Sequence, residues 1–168
     1  RSLHQDGCQT RRGRISPHQI MMELILIRHA HAGPYTSPDE ARHLSERGIE
    51  EAQELAAKLA SYALPDGLWY VSDAIRTLET YQILTDKPAE VSNDWYHASG
   101  PAYLEKLGKS PSACVYLVAH NPSISYVASY LSGEQIQMDT ANFVHLQWPR
   151  LDAWEEVTQG SATVKARF

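Results

Sequence analysis

Three short runs of this chain are apolar almost without a break. They are Glu23-Leu24-Ile25-Leu26-Ile27, Leu68-Trp69-Tyr70-Val71 and Cys114-Val115-Tyr116-Leu117-Val118. A strand with one wet face alternates apolar and polar residues; a strand apolar throughout is buried on both faces. Each face of such a sheet must be covered, and helices placed between the strands in sequence do this. The runs therefore predict an α/β fold, a three-layer sandwich around a mostly parallel central sheet.

The segments between the runs agree. Ser45 is placed to cap a helix carrying Ile49, Ala52, Leu55, Ala56 and Leu59 on one stripe. Pro65-Asp66-Gly67 breaks the chain after it. Residues 74–84 predict a second helix with Ile75, Leu78 and Ile83 turned inward, and Pro88 closes that unit. Residues 89–100 have no clear pattern, and 101–108 suit a short helix. Pro122 opens a further helix that runs to about Leu131, with Gly133 as its stop. Phe143–Trp148 and Trp154–Val157 alternate and read as antiparallel strands near a sheet edge. Residues 21–168 form one expected domain. Residues 1–20 lack hydrophobic periodicity and read as a disordered extension or an expression remnant. An Arg-rich transit peptide is the alternative there, and no apolar stretch suits a secretory signal.

Charge and cysteine content exclude several classes of function. The net charge is −5. Residues 1–20 carry +3, from four arginines against Asp6, so the remainder carries −8. Such a body repels nucleic acid. No apolar run approaches the roughly 18–20 residues of a membrane span. Cys8 and Cys114 are too few for a disulfide framework and too isolated for a zinc cluster. The cytoplasm is the expected compartment.

In a parallel α/β sheet the ligand crevice lies beyond the carboxyl ends of the strands. The first run leads into Arg28-His29, the second into Ser72 and then Arg76, and the third into His120-Asn121. Two arginines and two histidines thus converge in an acidic protein. Guanidinium groups suit phosphate oxygens. Imidazoles beside two permanent cations stay charged only around an anion, and a phosphoryl group supplies one. One imidazole is then a nucleophile and the other a donor to the transition state.

These residues resemble known motifs. Leu26-Ile27-Arg28-His29-Ala30 resembles the Arg-His-Gly signature of the histidine phosphatase superfamily, also called phosphoglycerate mutase-like. Ala in place of that Gly is common in the branch typified by the phosphohistidine phosphatase SixA. Leu44-Ser45-Glu46-Arg47-Gly48 is similar to the family's Leu-Thr-x-x-Gly. Ser72 through Thr80 is similar to Ser-Pro-x-x-Arg-Ala-x-x-Thr, with Asp73 replacing the Pro. Val118-Ala119-His120-Asn121-Pro122 is similar to Val-Gly-His-Asn-Pro. The resemblance covers residues 22–160 and implies a phosphoglycerate mutase-like fold. It implies that His29 is the nucleophile, that Arg28 and Arg76 hold the phosphoryl oxygens, and that His120 is the second core histidine. Asn121 would support the substrate. Asp94 falls where many relatives place an acidic proton donor.

Other residues carry blander expectations. His29 and His31 have a metal-ligand spacing, but a metal site does not suit two adjacent arginines. His31 reads as a rim residue, and His43, His97 and His145 as surface or core. Glu79 either pairs with Arg76 or decorates the surface, and Thr80 packs or caps. No metal or organic cofactor is implied.

The shortness of segments 30–44 and 92–103 implies a site without a lid, open to a protein-sized substrate. The expected function is a metal-independent phosphohistidine phosphatase acting on signalling or phosphotransfer proteins of the histidine-phosphotransfer type. The alternatives are a phosphatase for a small phosphorylated metabolite and a non-catalytic adaptor for phosphoproteins. Neither nucleic acid nor membrane is an expected partner.

Overall fold

The first strand, β1 (Met22–Arg28), organises the molecule in the computed structural model, which describes residues 20–168. It alternates its contacts between two cores. Met22, Leu24 and Leu26 face one side, Ile25 and Ile27 the other. All but Met22 are fully buried, as an unbroken apolar run requires.

The sheet has six strands: β1, β2 (Leu68–Ser72), β3 (Ala89–Ser92), β4 (Cys114–Ala119), β5 (Phe143–Trp148) and β6 (Thr163–Arg167). Their order is β3-β2-β4-β1-β5-β6. Only β5 runs against the rest. Helices α1 (Glu46–Ser61) and α2 (Ile75–Leu84) cover the face of Ile25 and Ile27. Helices α3 (Gly100–Leu107) and α4 (Ser123–Ser132) cover the face of Leu24 and Leu26. The expected three-layer sandwich is present. Among the described residues no helix is long and apolar enough to cross a membrane.

The chain leaves β1 toward α1 on one face and leaves β4 toward α4 on the other. Adjacent strands whose connections diverge in this way open a crevice at their carboxyl ends. The site lies there.

Local signals fix the helix ends. The Ser45 hydroxyl accepts from Gly48 N at 3.0 Å and caps α1. Gly133 ends α4 with φ of 72°, a backbone region open to glycine at little cost.

Three expectations are corrected, and one stretch left open gains a strand. Trp154–Val157 is no strand; Trp154–Glu156 is a 3-10 turn. Its Trp154 is buried against Trp148, and the indole N–H donates to Ser112 O at 2.6 Å. The last strand is β6. The unpatterned stretch 89–100 contains β3. Helix α1 buries Gly48, Ala52 and Leu55, whereas Ile49 is exposed. Helix α2 buries Arg76, Thr77 and Thr80 and leaves Ile75, Leu78 and Ile83 half-buried. Its inner face is polar because it walls the crevice. The expectations for residues 1–20, Cys8 included, fall almost wholly outside the described residues. Cys114 is buried, and burial pushes its thiol up to about 12, which suits an inert core residue.

Candidate active site

Strand register assembles the site. Arg28 pairs with Ala119 across the parallel β1–β4 ladder. The next residues, His29 and His120, therefore emerge side by side, and His29 N donates to Ala119 O at 3.1 Å. Their ring centroids are 5.0 Å apart, and both side chains are buried.

His29 has a fixed tautomer. Its Nδ1 lies 2.8 Å from Ala30 O, and a carbonyl only accepts, so Nδ1 carries the proton. The lone pair is left on Nε2. Burial, with Arg76, Arg28 and Arg42 adding to it, lowers the His29 pKa to about 4. The ring is neutral and nucleophilic at neutral pH. His120 bonds the Ser72 hydroxyl through Nε2 at 2.8 Å. Burial, then His29 and Arg76, push its pKa to about 2. Two neutral imidazoles beside two guanidinium groups, with Asp39 as the carboxylate bonded to Arg76, describe a pocket with positive charge to spare for an anion.

Both arginines are anchored by their terminal nitrogens. Arg28 Nη1 donates to Met138 O at 3.0 Å. Arg76 Nη1 donates to Asp39 O and Nη2 to Asp39 Oδ2, each at 2.9 Å. The Nε atoms of Arg28, Arg42 and Arg76 are buried without a partner. A buried N–H left unbonded costs on the order of 1–3 kcal/mol, so each is a donor open to an acceptor oxygen.

Helix α2 is tied to the His29 segment. Thr80 Oγ1 accepts from Ala30 N at 3.0 Å and donates to Arg76 O at 2.7 Å. Glu79 does not pair with Arg76; it accepts from His43 Nδ1 at 2.6 Å and Leu44 N at 2.7 Å. That contact clamps the 30–44 segment to α2.

The structure brings together Arg28, His29, Arg76 and His120. It treats the other two candidates differently. Asn121 donates to Met138 O at 2.8 Å and accepts from Ser125 Oγ at 2.6 Å. It shares the carbonyl that anchors Arg28, and so braces that arginine. Asp94 stands apart: its carboxylate is 69% exposed and paired with Lys106, which lies over the Trp95 ring. No hydrogen bond or ion pair joins it to the four converging residues. It lies just past the edge strand β3, and the lysine one side-chain length away captures it. Lys106 also holds its carboxyl below the usual range.

Sequence reasoning missed two contributors, Asp39 and Tyr96, and placed Ser72 at the crevice without giving it a role. Asp39 sits in a 3-10 turn (Asp39–Ala41) of the 30–44 segment, and its carboxylate accepts from the Tyr96 hydroxyl at 2.7 Å. The two segments read as too short for a lid thus meet over Arg76. Their contact spans 57 residues of chain and leaves no local signature. His31 bonds Ser45, His145 is core, and His43 and His97 are exposed.

Known proteins share this fold. Residues 24–96 match the model of the histidine phosphatase superfamily (branch 1). A search of curated proteins by sequence finds no match. Among solved structures, a candidate phosphohistidine phosphatase SixA from Nakamurella multipartitia aligns with a TM-score of 0.78 at 20% identity. It covers 88% of this chain and 95% of its own. The protein histidine phosphatase SixA complexed with tungstate aligns at 0.70 and 22% identity, over 88% and 96%. A mycobacterial glucosyl-3-phosphoglycerate phosphatase aligns at 0.60 and 17% identity, over 88% and 98%. At these identities the likeness is one of fold.

Proposed function

We propose that this chain, whose residues 24–96 match the histidine phosphatase superfamily, is a phosphohistidine phosphatase. The observation that carries the reading is His29, with Nδ1 bonded to Ala30 O, Nε2 free and two unpartnered arginine Nε–H groups at hand. His29 Nε2 attacks phosphorus. The new P–N bond forms as the bond to the leaving group breaks, and the leaving atom keeps the electron pair. Arg28, Arg76 and His120 bind the equatorial oxygens, whose charge is highest in the transition state. Water then attacks the phosphohistidine. Inorganic phosphate leaves, and the P–N electron pair returns to Nε2.

Leaving-group chemistry favours a phosphorylated imidazole. An alkoxide must be protonated as it departs, whereas imidazole, with a pKa of about 6.5, needs far less help. Neither nearby carboxylate suits the acid's role. Asp94 is engaged by Lys106, and Asp39 is held below the usual range, first by the Tyr96 hydroxyl and then by Arg76 and Arg42. The connection from β3 to α3 is only residues 93–99, with no inserted subdomain to enclose a small metabolite. The fold is shared with proteins named as SixA phosphohistidine phosphatases, which is in keeping with a phosphohistidine substrate; the carrier we propose is a protein of the histidine-phosphotransfer type. The fold is also shared, less closely, with a glucosyl-3-phosphoglycerate phosphatase, which keeps the small-metabolite reading as the alternative.

The test is a substrate panel of a phosphorylated histidine-phosphotransfer protein against simple phosphomonoesters. His29→Ala is the control. Faster turnover of the phosphoprotein and loss of covalent labelling in His29→Ala are expected. Preference for monoesters shifts the assignment to the metabolite class, and retained turnover in His29→Ala removes the mechanism.

A further inference from the structure

Among the described residues Asp39 is the one carboxylate that bonds the converging arginines and histidines, and it contacts Arg76 twice, through backbone O and through Oδ2. Oδ2 also takes the Tyr96 hydroxyl, and Oδ1 lies 3.6 Å from Arg42 Nε. The Tyr96 ring has its own place in the site. The Arg76 guanidinium lies over it at 5.7 Å, and the His120 ring meets it edge-on at 5.3 Å. The base of the loop is pinned as well: Gly33 N donates to His43 O, Ser45 N to His31 O, and Glu79 receives His43 and Leu44. A loop clamped at its base and keyed at its tip is a rigid mount.

We propose that Asp39 and Tyr96 are positioning residues, which hold the Arg76 guanidinium so that its unpartnered Nε–H edge meets the phosphoryl group. The inference rests on the phosphatase reading of the site. Arginine has high rotamer freedom, and both terminal nitrogens must be fixed before the third can be aimed. A donor already aimed at developing charge needs no reorganisation during reaction.

A competing role is separable from this one. Were Asp39 a resident anion occupying the substrate's place, removing its charge would tighten anion binding. As a positioning residue, its removal weakens binding. Tyr96→Phe keeps the ring against Arg76 and His120 and deletes only the hydroxyl.

The experiment measures inorganic phosphate affinity by calorimetry, and turnover of the phosphorylated histidine-phosphotransfer protein. It uses the full chain, as wild type, Tyr96→Phe, Asp39→Asn and the double variant, with folding checked by circular dichroism. The expected result is phosphate binding about three- to tenfold weaker in each single variant, with a parallel fall in kcat. In the double variant Tyr96→Phe adds less than about twofold, because both changes act through one guanidinium. Unchanged affinity in both single variants, tighter binding in Asp39→Asn, or full additivity overturns the proposal. A wild type that binds phosphate but turns over no phosphohistidine sinks the substrate assignment alone, since the affinity series still reads positioning. Absence of phosphate binding overturns both.

Discussion

The amide of Ala30 donates to the hydroxyl of Thr80, fifty residues away, and the same hydroxyl donates to the carbonyl of Arg76. One buried oxygen thus joins the backbone just after the proposed nucleophile to the helix that carries Arg76, the proposed phosphate-binding arginine. Both Ala30 and Thr80 are fully buried, so no water replaces either partner.

Thr80→Val keeps the shape and removes that oxygen. It leaves the Ala30 N–H buried and unsatisfied, at a cost of about 1–3 kcal/mol. A urea titration is expected to show that loss, with turnover reduced beyond it because His29 and Arg76 lose their common tie. Thr80→Ser, which retains the hydroxyl, is expected to recover most of both.

Gly48→Ala tests how closely α1 docks under the His29 segment. Alanine in a helix is ordinarily worth about 1 kcal/mol over glycine. Here a Cβ would stand 2.0 Å from His31 O, a backbone atom held by the Ser45 amide. The sign reverses, and a destabilisation of about 1–3 kcal/mol is expected. A raised melting temperature in this variant contradicts the packing described.

Asp94→Asn is expected to change turnover by less than about twofold. Its carboxylate is exposed and bonded to Lys106, so the exchange removes a surface ion pair of small worth. A large fall in kcat with monoesters or phosphoprotein would restore Asp94 as proton donor.

Acid sensitivity follows from the two histidines. In the fold His29 titrates near 4 and His120 near 2, whereas both start from 6.5 when exposed. Their folded values are depressed, so the unfolded chain binds protons first as pH falls. The stability of holding them neutral is present above about 6.5 and is lost as pH falls below it. The urea midpoint is expected to drop between pH 7 and pH 5. Saturating inorganic phosphate narrows the drop, because a bound anion favours charged imidazoles. A His29→Asn, His120→Asn double variant is expected to flatten it.

The strands missed or misread in the sequence share one location. β3 and β6 are the two edges of the sheet. β3 exposes Glu90 and Val91, and β6 exposes every second residue from Thr163. An edge strand has one neighbour and much solvent, so it needs no apolar run. Trp154–Val157 imitated a strand because a buried tryptophan followed by two glutamates also suits a turn that plants one ring in the core.

The sequence by itself determined the central strands, the helix caps and the four converging residues. These are local facts: burial on both faces demands unbroken apolar runs, and a residue following such a run must emerge at the crevice. Tertiary structure alone decided which way Arg76 is held, that Asn121 braces Arg28, that Asp94 turns to Lys106, and that Asp39 meets Tyr96. Periodicity records whether a residue is buried but not which polar partner it finds. A hydrogen bond between distant loops is chosen by the fold that brings them together.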